Sequence, residues 1–348
     1  MTATDKLLMQ LSNLDALPGQ ETQVQQALQK TIQGPVTKDA FGNLYFGDLA
    51  TKKKKIALYA HMDEVGFFVH RITDDGFVYF YPIGGWWGHV VLGQQVRATC
   101  RKNGTVLEGI VGTLPKSSHK MTEVVPLSEL YIDFGVHSKA ELEAAGLQIG
   151  DMILPNTLAK KSFNQKKIIG KALDDRVACT IMAQVKNQVD TKTIEVIGVG
   201  TVQEEAGTRG SKVAATQVDA DINIVIDVAN GKDTPRAAEM PNRIQGNGPG
   251  LVLADKTALG NMKLLDYCRE VAEKNHLPWQ YDLLGGGGTD AGSVQLFAGK
   301  PTLVFCVPVR YCHSWNSMVE ISDVEATIEL LSAVIRSFDE GGAELEQF

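Results

Sequence analysis

Two adjacent acids, Glu204 and Glu205, stand just beyond the apolar run Thr193 to Thr201 (TIEVIGVGT), and a turn carrying Gly207 and Gly210 follows at once. Neighbouring side chains on a strand point to opposite faces, so both carboxylates can serve one site only if the strand ends there. Other stretches repeat the pattern. Ile56 to Ala60 runs into His61-Met62-Asp63, Ile222 to Ile226 runs into Asp227, and Thr302 to Val307 leads towards His313. Asp174-Asp175 follow Ile168-Ile169-Gly170 and open a helical pattern. Ligands of open α/β sheets collect at the carboxyl ends of the strands, which is where these groups would meet.

Two imidazoles and several carboxylates, with no paired thiolates, form a borderline-to-hard ligand set. Such a set suits two divalent ions, Zn²⁺, Co²⁺ or Mn²⁺, in a hydrolytic site better than a structural zinc. Two ions about 3.5 to 4 Å apart can share a bridging carboxylate and activate a water between them. One carboxylate must then stay free as general base, a division that the Glu204-Glu205 pair offers. His61 and Asp63, two apart on an extended segment, share a face, and a carboxylate commonly holds the far nitrogen of a histidine ligand. Each feature alone has a plainer reading: a solvated turn, a buried histidine with a local partner, or acids favoured in a first helical turn. The four strand ends together outweigh those readings.

The elements that must position these groups are legible in part. Leu7, Leu8, Leu11 and Leu14 keep helical spacing, Pro18-Gly19 interrupts it, and Val24, Leu28 and Ile32 resume it. Two short strands flank Phe41-Gly42-Asn43. Lys52 to Lys55 read as a solvated sheet edge that discourages pairing. Residues 67–82 and 90–111 are rich in aromatic and β-branched types between turns, which predicts a small β-barrel or sandwich inserted into the α/β domain and reaching about Pro155. A short helix at 138–145 and a last strand at 148–154 belong to it. Trp86, Trp87 and His89 read as core or interface residues. Helices are expected at 177–185, 211–217, 262–275 and 323–338. The glycine loop 285–288 lacks a phosphate-binding pattern and allows close backbone approach beside the site. The strand from Thr302 is expected to continue through His313.

With 348 residues, 44% hydrophobic and 22% charged, the chain supports a large core and more than one domain. A net charge of -7 argues against binding nucleic acid or an anionic membrane. Five cysteines without CxxC spacing read as reduced thiols. The N-terminal stretch lacks signal-peptide features, and no apolar run approaches the roughly 20 residues of a membrane helix. These point to a soluble, cytoplasmic protein.

Six segments, in order, carry a resemblance: Ala60–Gly66 (AHMDEVG), Gly170–Arg176 (GKALDDR), Val202–Gly210 (VQEEAGTRG), Ile226–Val228 (IDV), Gly286–Gly292 (GGGTDAG) and Arg310–Ser314 (RYCHS). The chain resembles the tetrahedral aminopeptidases, di-metal exopeptidases that include glutamyl and deblocking aminopeptidases. The resemblance implies a mixed-sheet α/β catalytic domain of the di-zinc exopeptidase (phosphorylase/hydrolase-like) type over 1–64 and 162–348, with a β-rich dimerisation insert over 65–161. It implies that His61, Asp174 and Asp227 hold one ion, and Asp174, Glu205 and His313 the other. Glu204 would be the base and Asp63 would orient His61. Arg310, Gly287 and His119 are candidate substrate contacts. Peptide substrates and a homo-oligomer built from dimers, up to a tetrahedral dodecamer, are implied as well. One departure stands out: the family usually continues Ser/Thr-Pro-Val-Glu after the histidine, whereas Ser314 to Glu320 reads SWNSMVE. Competing readings are a deacylase or carboxypeptidase-like amidohydrolase, a glycoside hydrolase that would leave His61 and His313 idle, and a silent scaffold.

Overall fold

The computed structural model describes residues 1–114, 123–235 and 242–348. Helices α1 (Ala3–Asn13) and α2 (Thr22–Thr31) open the chain. Thr2 caps α1 reciprocally: its hydroxyl accepts the Asp5 N–H, and the Asp5 carboxylate accepts the Thr2 N–H. A hairpin of β1 (Val36–Lys38) and β2 (Leu44–Phe46) then leads into β3 (Lys54–His61).

The next strands leave the main sheet. β4 (Gly66–Ile72), β5 (Val78–Ile83), β6 (Gln95–Thr99), β7 (Val106–Gly112), β8 (Tyr131–Asp133) and β9 (Met152–Pro155) close into a barrel in the order β4-β5-β8-β7-β6-β9. Helix α3 (Lys139–Ala145) lies between β8 and β9. Closure removes unpaired edges and encloses a separate apolar core that includes Phe67, Val96 and Ile153.

The chain then returns to the main sheet through β10 (Lys160–Lys161), β11 (Lys167–Gly170), α4 (Leu173–Gln188), β12 (Ile194–Thr201), α5 (Arg209–Val218) and β13 (Ile222–Asn230). It ends with β14 (Gly250–Ala254), α6 (Met262–Lys274), β15 (Gln280–Leu283), α7 (Asp290–Ala298), β16 (Thr302–Arg310), β17 (Ser317–Glu320) and α8 (Ile321–Asp339). The main path runs β1-β2-β12-β3-β13-β16-β17-β11-β10, with β14 on β16 and β15 on β14. Its four central strands, β12, β3, β13 and β16, are mutually parallel. Helices cover both of their faces, which explains runs that are almost wholly apolar. Ile56 and Leu58 pack with α1, α4 and α8, while Ala57 and Tyr59 pack with α5 and α7. The result is the expected α/β fold with a mixed sheet and an inserted barrel. No helix among the described residues is long and apolar enough to cross a membrane.

Several local expectations are corrected. Lys54 and Lys55 do not mark an unpaired edge: β3 is interior, and Lys54 and Lys55 sit opposite Ile194 and Glu195. The Lys55 ammonium donates to the carbonyls of Leu49 and Val218, so the charge leaves the sheet at a strand end. The last barrel strand starts at Met152, because Gln148 to Asp151 form a turn closed by the Asp151 carboxylate on the Gln148 N–H. The strand from Thr302 stops at Arg310, since Tyr311 (φ 59°) and His313 (φ 57°) are left-handed. Strands β14, β15 and β17 are short and partly exposed, and no periodicity announces them.

Candidate active site

The parallel order of β12, β3, β13 and β16 brings their carboxyl ends to one edge of the sheet. His61 is the last residue of β3 and lies opposite Thr201, the last of β12, so Glu204 and Glu205 project just beyond it. Val225 lies opposite Tyr59, which sets Asp227 level with His61 on the neighbouring strand. His313 comes from the turn after β16, and Asp174 from the first residues of α4, where Asp174 and Asp175 keep non-helical φ/ψ. His61, Asp174, Glu204, Glu205, Asp227 and His313 line one cleft of about 530 Å³, with Trp87 and the glycine loop 285–288 on its walls.

Asp174 is the centre of this group. Its Oδ1 lies 2.9 Å from His61 Nε2, and its Oδ2 lies 3.2 Å from His313 Nε2. One carboxylate thus faces two imidazoles with its two oxygens. Glu205 Oε1 is 3.1 Å from the same His313 nitrogen. Ligand atoms of His61, Asp174 and Asp227 lie within 4.8 Å of one another, as do those of Asp174, Cys312 and His313.

Side-chain acceptors hold the turn that carries the glutamates. Asn43 Oδ1 accepts the Val202 N–H (3.1 Å), and Glu21 Oε1 accepts the Gln203 N–H (3.2 Å). The two oxygens of Asp63 accept the Glu204 and Glu205 N–H groups, each at 3.0 Å. Asp63 also stands 3.6 Å from His61 Nδ1, longer than a hydrogen bond. Beneath, Arg176 donates to the carbonyls of Met62 and Asp63 and to Glu64, which also pairs with Lys171. All three side chains are buried, so this segment is clamped by charge-assisted bonds.

The barrel completes the site. His313 Nδ1 lies 2.7 Å from the Gly85 carbonyl, which can only accept, so Nδ1 carries the proton and Nε2 is left for the cleft. Gly84 adopts φ 78°, and a Cβ there would meet Val65 at 2.4 Å and Glu205 Oε2 at 3.0 Å. Only glycine fits this close approach.

Burial pushes the Glu204, Glu205, Asp175 and Asp227 carboxyls upward, and neighbouring acids add to this although the imidazoles oppose it. Asp174 goes the other way: burial would raise it, but His313 and His61 hold it low. Burial alone would favour neutral imidazoles, and their carboxylate partners raise both instead. So many buried acids facing one another lack compensating positive charge. Glu205 Oε1 and His61 Nδ1 are buried without a hydrogen-bond partner. A crowded imidazole–carboxylate set of this kind fits divalent cations.

The structure brings together His61, Asp63, Asp174, Glu204, Glu205, Asp227 and His313. Gly287 lines the cleft. Arg310 is bound to Asp233 through two nitrogens and is not part of the cleft lining. His119 lies outside the described residues. Trp86 packs on Phe67 and Trp315 as core, whereas Trp87 lies outside the core, 45% exposed, and lines the cleft. Trp315, within the departure after His313, is buried in the barrel core and donates to the Gln95 carbonyl. Trp315 thus anchors the His313 turn to the barrel. Sequence reading missed Glu21, Asn43, Gly85 and Cys312. The first three act through contacts with distant segments, and Cys312 was hidden by the expected strand alternation.

A model of the M42 glutamyl aminopeptidase family matches residues 42–330. A glutamyl aminopeptidase from Lactococcus lactis subsp. cremoris is 33% identical over 306 residues, 84% of each chain. Among solved structures, the aminopeptidase APDkam598 from the archaeon Desulfurococcus kamchatkensis superposes with a TM-score of 0.91 at 30% identity, covering 99% of this chain and 96% of that one. The TET1 peptidase of Pyrococcus horikoshii, which can assemble into a tetrahedron or a large octahedral shell, gives a TM-score of 0.85 at 28% identity over 95% of this chain and 99% of that one.

Proposed function

The chain belongs to the M42 glutamyl aminopeptidase family of peptide hydrolases, and from that premise we propose that it removes N-terminal residues from peptides with the help of two divalent ions. The observation that carries this reading is Asp174, whose two oxygens each face a different imidazole. That arrangement suits a carboxylate shared by two positions. His61, Asp174 and Asp227 would hold one ion, and Asp174, Glu205 and His313 the other, with Zn²⁺, Co²⁺ and Mn²⁺ the candidates. Bound there, such ions supply Lewis acidity that acidifies water and polarises a peptide carbonyl.

The chain's own residues do the rest. Among the described residues, no hydrogen bond or ion pair engages the Glu204 carboxylate, which lines the cleft. It is free to take the proton of the attacking water and return it to the departing amine. Burial raises its proton affinity, which suits a group that must hold and then release that proton. Asp63 fixes the backbone of both glutamates and sits beside His61. Gly85 fixes the protonated nitrogen of His313. Residues 1–64 and 162–348 would form the catalytic unit. The insert 65–161 would make dimer contacts, supported by the exposed apolar residues Val106, Ile110 and Leu114. Assembly into larger closed particles, as the Pyrococcus horikoshii relative does, follows from the same reading. All five cysteines are buried and unpaired, which suits work in the reducing cytoplasm.

The test is hydrolysis of a peptide panel with free and N-acetylated termini by chelator-stripped protein, before and after adding Zn²⁺, Co²⁺ or Mn²⁺. Free N-terminal residues released only after metal return support the proposal. Cleavage confined to N-acyl groups or carboxyl-terminal residues would replace it with a deacylase or carboxypeptidase.

A further inference from the structure

Cys312 has no role in the reading above, yet it faces the centre of the site. Its Sγ lies 2.9 Å from Asp174 Oδ2, and it forms a tight group with the potential ligand atoms of Asp174 and His313. It is 5% exposed, and it lines the same cleft. The backbone explains how two consecutive side chains reach one place. Tyr311 and His313 are both left-handed, and the Cys312 N–H leaves the sheet to donate to Asn230 Oδ1 at 2.8 Å. On a strand Cys312 and His313 would point to opposite faces; in this turn both point into the cleft.

A second observation marks the same spot. Glu205, 7% exposed at its side chain, stands 3.1 Å from His313 Nε2, and its Oε1 lacks the alignment of a hydrogen bond with any partner. Asp174, His313 and Cys312 thus form one close group of a carboxylate, an imidazole and a sulfur, and the Glu205 carboxylate reaches that group through His313. A thiol in this place has two uses: as a weak donor to Asp174, or as a ligand once its proton is lost. The other four cysteines are outside this group: Cys100, Cys268 and Cys306 lie in apolar cores, and Cys179 donates to the His61 carbonyl.

We propose that Cys312 Sγ is a fourth protein ligand of the ion position formed by Asp174, Glu205 and His313, and that it biases this position towards thiophilic divalent ions. The proposal rests on the two-ion reading of the site. On binding, a bond forms between sulfur and the ion, and the thiol proton passes to solvent. Soft sulfur favours Zn²⁺ or Cd²⁺ over Mn²⁺, whereas an all-oxygen and nitrogen position would discriminate less.

The test uses the full chain, stripped of metal and titrated with Co²⁺ while the near-ultraviolet spectrum and the bound cobalt are recorded. The expected result is a sulfur-to-cobalt charge-transfer band in the wild type. Cys312→Ser should bind the same number of ions without the band, and should lose at least about tenfold of the preference for Cd²⁺ over Mn²⁺ in competition. Cobalt bound without the band, or a band that persists in Cys312→Ser, overturns the proposal and leaves the thiol as a donor to Asp174. Failure of the wild type to bind cobalt at all would instead overturn the two-ion reading, and this proposal with it.

Discussion

Replacing Asp63 by asparagine tests how the site is held. The carboxylate accepts two backbone N–H groups, from Glu204 and Glu205, each at 3.0 Å, and is fully buried. Asparagine keeps one acceptor oxygen but presents an NH₂ group to the other amide, donor against donor. The loss is one charge-assisted hydrogen bond plus an unpaired buried N–H, about 2–4 kcal/mol in total. If most of it appears as displacement of the turn in the transition state, kcat falls roughly 30- to 1,000-fold. The displaced group is the proposed base, so KM should change far less than kcat. The assay is steady-state peptide hydrolysis on metal-loaded protein, with bound metal and Tm measured alongside. Normal kcat and Tm in Asp63→Asn would refute the claim that Asp63 holds the glutamate turn.

Other predictions follow from the same contacts. Glu21, buried behind the turn, titrates near 7 because of burial and the nearby Asp63 charge, against 4.5 for the free side chain. The folded state therefore binds more protons between those values, and stability falls as pH rises through the window, by up to about 3 kcal/mol above neutral. Glu21→Gln removes that loss, so its Tm advantage over wild type should grow from about pH 5 to about pH 8; a constant offset would contradict the assignment. Under the proposed sharing, in which each oxygen would serve one ion, Asp174→Ala should lose metal from both positions, and two ions retained per chain would disprove it. Glu64→Ala leaves Lys171 and Arg176 buried without their carboxylate and should destabilise the fold by about 3–5 kcal/mol, read as a large drop in Tm.

The parts of the site visible in the sequence were those where a long apolar run breaks into acid or imidazole. His61, Glu204, Glu205 and Asp227 all stand at or just beyond the carboxyl ends of buried central strands, and such strands are conspicuous because helices cover both faces. His313 was visible as a residue, but its route was not: the left-handed turn at Tyr311 and His313 lacks glycine and leaves no local mark. The supporting contacts were hidden for a different reason. Glu21 meets Gln203, and Gly85 meets His313, across separations of 182 and 228 residues, which no periodicity records. Lys54 and Lys55 misled because a charged strand end resembles a charged sheet edge until the neighbouring strands are known. The barrel was legible from its turns and aromatic texture, whereas its docking through Trp315 depends on a segment far along the chain.

The most direct measurement is the turnover of Glu204→Gln on a free-amine peptide, with bound metal counted in the same preparation. The substitution preserves shape and removes the proton acceptor. The account predicts two ions per chain, as in wild type, with kcat lower by about 10²-fold or more, within the range general base catalysis supplies. A variant that keeps two ions and near-normal kcat would contradict the assignment of Glu204 and the mechanism built on it.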